Sequence, residues 1–141
     1  MSQGTPKKDA TLEHLRASQD ASLSALESLA AEVEDLLDDA DAEEIEDYVR
    51  QRGQLVDELR ASAESELREL GGSPALDESA ARRRARMLAL ADRDELDRQR
   101  LAARLAAIRR ELESLTASKR AVGAYGTARN DAGARFHDSQ A

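Results

Sequence analysis

The stretch LAARLAAIRRELESLTASKRAVGAYG, residues 101–126, decides the fold. Its apolar residues fall at Leu101, Leu105, Ile108, Leu112, Leu115 and Val122, with Lys119 occupying the one gap in the track. Steps that alternate four and three residues place all of them on a single helix face. The track runs into Tyr125 and then meets Gly126. An apolar stripe of this length has to be buried, against another helix of the same chain or against a partner. Which of the two it is decides most of what the chain can do.

Upstream the track continues in ragged form through Leu76, Ala80, Met87 and Ala91, then meets Asp94 and Arg98. Leu88 and Leu96 are placed to take over the seam there. The spacing predicts a third helix from the region Ser73 to Asp77 as far as about Val122, about 70 Å long at the usual rise per residue. Pro74 is tolerated in such a first turn. Gly71-Gly72, with Pro74 following, stops a second helix. Its stripe reads Ile45, Tyr48, Val49, Arg52, Leu55, Val56, Leu59, Ala63, Leu67 and Leu70. Asp41 is its N-cap, with Glu44 three residues on as in a capping box. Gly53 inside it costs about 1 kcal/mol against alanine. Arg52, in mid-stripe, is expected to lay its stem along the seam and bond an acid on a neighbouring helix. A first helix near 9–38 carries Leu12 and Leu15, a weak patch at Gln19 and Ser22, then Leu26, Leu29, Val33 and Leu36, widened by Leu23, Ala30 and Leu37.

The expected fold is therefore all-α: an elongated antiparallel helical bundle or coiled coil of three long helices over residues 9–122. Residues 1–8 read as a disordered lead-in. Residues 123–141, punctuated by Gly123, Gly126 and Gly133, read as a flexible tail, with a short docking segment around Phe136 as the alternative. The third helix is longer than the other two, so it either overhangs them or they stagger. An overhang leaves apolar stripe exposed, and such stripes mark partner sites.

Composition agrees. In 141 residues, Tyr48, Tyr125 and Phe136 are the whole aromatic set, enough for a Leu/Ala seam but not for a thick globular core. Cysteine is absent, which excludes disulfides and thiol chemistry and suits a reducing cytoplasm, the expected location. Nothing resembles a secretory signal or a membrane span, so no membrane insertion is expected. A net charge of −8 argues against nucleic acid as a partner. The basic cluster Arg82, Arg83, Arg84 and Arg86 has acids around it and no aromatic beside it to stack on a base, so these arginines are expected to pair with acids of the first two helices.

No constellation supports catalysis, and no enzyme activity, cofactor or metal is expected. His14 and His137 stand far apart without other ligand residues near them. The acidic run Glu32 to Asp47 lacks the order of a calcium loop. Gly71-Gly72 lacks the lysine and serine of a phosphate loop.

Two stretches resemble a known family. IEDYVRQRGQLVDEL, residues 45–59, is similar to the leucine-rich helix with a central arginine found in bacterial flagellar export chaperones of the FlgN and FliT type. Residues 101–126 resemble their C-terminal helix, which ends in a basic residue, a small residue and a tyrosine; here these fall at Lys119, Arg120 and Tyr125. The likeness spans roughly residues 20–126. It implies a cytoplasmic protein that holds a hook-associated, filament-cap or flagellin subunit before type III export. The client's amphipathic terminal helix would lie in a groove that includes Leu101, Leu105, Ile108, Leu112, Leu115 and Val122. Tyr125 would contact the cytoplasmic domain of the export gate. Such a chaperone is a monomer or a weak homodimer. The alternative is a structural, self-associating coiled-coil scaffold.

Overall fold

The computed structural model describes residues 6–140, with the side chains of residues 7–126. Every regular element among them is helical: α1 (Pro6–Ala31), α2 (Val33–Asp39), α3 (Ala42–Glu69) and α4 (Glu78–Gln140). The chain divides into two compact units, residues 1–103 and residues 104–141.

In the first unit, α1 and α2 are nearly one helix. The interruption is a single residue, Glu32, whose N–H reaches back to the Leu29 carbonyl at 2.9 Å and tightens the turn. Ala40 and Asp41 are both extended and reverse the chain in two residues. Asp41 is the N-cap of α3 as its position in the sequence indicates, with its carboxylate accepting from the Glu44 N–H at 2.9 Å. The far end of α3 closes on Gly71 and Gly72, at φ 74° and 90°. The Gly72 N–H donates to the Leu67 carbonyl and the Gly71 N–H to the Arg68 carbonyl, the paired bonds of a Schellman stop. Asp77 then caps α4, accepting from the Ala80 N–H at 2.7 Å.

Side-chain pairs fix the directions. Arg16 meets Glu66 and Ser18 meets Ser62, so α1 and α3 run antiparallel. Arg86 meets Glu27, Arg93 meets Ala30 and Arg100 meets Glu34, so α4 runs parallel to α1–α2 up to residue 103. The backbones of α1 and α3 come close, whereas α4 meets them chiefly through long side chains. The apolar core gathers toward the α2 turn: Leu23, Leu26, Ala30, Val33, Ala40, Ile45, Tyr48 and Leu101 are all buried.

The other end of the unit has a different filling. Gln19 and Ser22, the weak patch of the first stripe, are buried there, and so is Arg83. Glu66 accepts from Arg16 at 2.7 Å and from Gln19 at 3.3 Å, and Arg83 lies 4.0 Å from the same carboxylate. The weak patch is thus part of a polar seam, hydrogen-bonded between α1 and α3 and with Arg83 of α4 at ion-pair distance.

Several expectations need correction. Residues 6–8 belong to the first turn of α1, where Pro6 has no N–H to waste. Leu88 and Leu96 do not take over the α4 seam, being 67% and 57% exposed. The inward track is Ala80, Arg83, Met87, Leu90, Asp94, Asp97 and Leu101, every one of them at least half-buried. Val49 likewise faces outward. Helix α4 does not end near Val122 but continues to Gln140. A glycine stops a helix by turning to positive φ, as Gly71 and Gly72 do; Gly53, Gly123 and Gly126 keep helical backbone and cost only propensity. The side chains of the tail, Phe136 included, lie outside the described residues.

Candidate functional site

Each arginine that reaches from α4 in the first unit finds an acid or a carbonyl. Arg86 forks onto Glu27 and also reaches Ser24. Arg100 holds both oxygens of Glu34, at 2.8 and 3.0 Å. The hydrogen bonds from these guanidinium groups hold Glu27 and Glu34 below the usual carboxylate range. Arg93 donates to the Ala30 carbonyl at 2.8 Å, satisfying an acceptor left over at the end of α1. Arg52 of α3 pairs with Asp94 of α4, as its place in mid-stripe led us to expect. Of the basic cluster, Arg83 and Arg86 face acids of α1 and α3 as expected, whereas Arg82 pairs with Glu78 of its own helix and Arg84 donates to the Ala75 carbonyl.

Beside the Arg52–Asp94 pair a cavity of about 240 Å³ opens between α1, α3 and α4. Leu26, Tyr48, Val56, Leu59, Met87 and Leu90 form its apolar walls. Burial, with Asp97 nearby, pushes the Tyr48 hydroxyl above its ordinary value, so it stays a neutral phenol. The sequence signal for this cleft is the ragged α4 track, in which Met87 and Ala91 are followed by Asp94, and it reads more readily as a poor seam.

The predicted ladder is split by the structure. Leu101 is 3% exposed and belongs to the bundle core. Leu105 and Ile108 are half-buried. Leu112, Leu115 and Val122 are open, at 54%, 59% and 71% exposure, and so is Tyr125. Helical spacing keeps Leu112, Leu115 and Val122 on one face, with Lys119 among them. The second unit thus presents an open apolar face interrupted by Lys119, and such a face is a property by which a helix takes hold of another helix.

Fold and surface together define an all-α protein with an ion-paired bundle and an open apolar face on its last helix. No helix among the described residues is long and apolar enough to cross a membrane. The family model described as "Flagellar protein FliT" matches residues 11–127. That is most of the chain, and the chain belongs to the FliT family, a family of flagellar export chaperones. No curated protein and no solved structure matches it.

Proposed function

We propose that this protein acts in the cytoplasm as a type III export chaperone, binding the amphipathic terminal helix of a hook-associated or filament-cap subunit and handing it to the export gate. The observation that carries the reading is the open face of Leu112, Leu115 and Val122 in a member of a flagellar chaperone family. A client helix laid along it would bury leucine against leucine, about 25 cal/mol for each Å² of apolar surface covered. Leu105 and Ile108, half-buried, would extend the contact. Leu101 would anchor the helix to the bundle rather than touch the client. Tyr125, 71% exposed beside this face, is the residue for the gate: an amphipathic ring at low entropic cost.

The test is a pull-down of hook-associated, cap and flagellin subunits on the immobilised chain. Capture of one of them, lost in the Leu112→Ala/Leu115→Ala variant, supports the reading. A chain that captures none and forms a stable oligomer through this face is a structural coiled coil instead. Tyr125→Ala should leave folding and client capture near wild type and weaken binding to the gate's cytoplasmic domain, measured by calorimetry with client present. Unchanged gate affinity would remove Tyr125 from that role.

A further inference from the structure

The charge of the chain is divided unevenly. Residues 1–103 hold 14 basic and 25 acidic side chains, a balance of −11, and residues 104–141 hold 7 and 4, a balance of +3; together these give the −8 of the whole chain. The positive end is concentrated where the apolar face is most open. From Ser114 to Asn130 there is no acid, and Lys119 and Arg120 stand in that interval beside Leu115 and Val122. Both are exposed, and neither pairs with an acid among the described residues. On a helix turning about 100° per residue, Lys119 falls within the apolar track and Arg120 along one edge of it, in line with Thr116. The other edge there carries the neutral Ser118.

This contrasts with the first unit, where Arg83, Arg86 and Arg100 of α4 face Glu66 of α3, Glu27 of α1 and Glu34 of α2. Two cations left uncompensated beside an open apolar stripe select among partners. We propose that α4 between Leu112 and Val122 receives an amphipathic helix whose apolar stripe is flanked by acidic side chains, the acids meeting Lys119 and Arg120. The proposal rests on this face being the client site and adds the charge rule by which it tells one amphipathic helix from another. The excess acid elsewhere on the chain does not cancel the rule. At physiological salt, charges act over about 8 Å, so a helix seated on the stripe responds to the side chains beside it. Opposite charges at a rim give selectivity and faster encounter more than affinity, and like charges reject.

The probes are two synthetic peptides of about three heptads with the same leucine stripe, one flanked by glutamates and one by lysines. Each is titrated into the full chain by fluorescence anisotropy at low and at high salt. The glutamate peptide should bind about tenfold more tightly at low salt, with the ratio falling toward one at high salt. The Lys119→Glu/Arg120→Glu variant should reverse the preference. Equal binding of both peptides, or a preference the variant does not move, overturns the charge rule and leaves the docking face standing. If neither peptide binds and Leu112→Ala leaves subunit capture unchanged, the docking face is wrong and the rule falls with it. If neither peptide binds because a second copy occupies the face, self-association lost on Leu112→Glu will show it, and that too overturns the proposal.

Discussion

Leu101 and Leu112 lie on one heptad track of one helix and meet opposite environments. Leu101 is 3% exposed among the bundle's buried residues, and Leu112 is 54% exposed. The basic residues divide the same way. Arg86 and Arg100 are clamped on Glu27 and Glu34, while Lys119 and Arg120 hold no acid among the described residues. The periodicity is the same before and after residue 103, so periodicity does not determine whether a stripe is core or surface. What differs is the presence of partner helices carrying matching groups. The first unit spends its stripe on its own stability, and the second leaves its stripe for something outside the chain.

The largest effect should come from emptying the closed region. Leu23 is fully buried, and Leu23→Ala should destabilise the bundle by about 2–5 kcal/mol in urea unfolding, because the space around it closes only in part. Leu112→Ala removes a side chain of the same size from the open region. It should leave the melting temperature nearly unchanged while weakening client binding about tenfold, or about 1.4 kcal/mol. A loss of stability like that of Leu23→Ala would erase the contrast between the two regions.

Next comes the ion pairing. Arg52 and Asp94 are both largely shielded, with side chains 23% and 19% exposed. Removing one partner should cost more than removing both. Arg52→Ala should destabilise by about 1–3 kcal/mol, and adding Asp94→Ala should recover part of that, because it removes the orphaned carboxylate. A strictly additive double variant would show that the pair is not coupled.

The smallest effect is the pH dependence of the exposed clamps. Glu27 and Glu34 have lowered pKa values in the folded chain, so their contribution is present above the ordinary carboxylate value of 4.5 and is lost as pH falls through the lower folded value. The wild type should therefore lose stability on acidification below about pH 4.5, and Glu27→Gln/Glu34→Gln should lose less over the same range, as read by thermal melts. Equal slopes would remove these clamps from the acid response.

Much of the fold was legible because short-range rules govern it. Asp41 ahead of an acidic first turn marks a helix start, and Gly71-Gly72-Pro74 can hardly be anything but a stop. Leucines at heptad spacing demand helices. Arg52 in mid-stripe announced a partner across the seam, and Asp94 supplies it. The reading failed where a local signal was ambiguous. Gly123 and Gly71 are the same residue type, and only the backbone shows that one carries α4 onward while the other terminates α3. Leu88 and Leu96 looked like better core residues than Arg83 and Asp97, yet the charged pair is buried and the leucines are exposed. Asp97 is held by Arg93 and Arg100 of its own helix, and Arg83 bonds Ser79 one turn back while lying 4.0 Å from Asp20 of α1 and Glu66 of α3; the sequence does not show which side of α4 the neighbouring helices cover.

By itself the sequence determined the all-α class, the helix caps, the second helix with its stop, the scarcity of aromatic core and the membership in a flagellar chaperone family. The family rests on the sequence match over residues 11–127; the rest follows from local hydrogen-bond geometry, periodicity and composition, each readable within a few turns of chain. Only the tertiary structure decided that Gln19, Glu66 and Arg83 make a polar seam, that the arginines of α4 clamp α1 and α2, and that the ladder is closed at Leu101 and open from Leu112 to Val122. Burial and ion pairing depend on what stands opposite a side chain, and that is a property of packed helices rather than of any one of them.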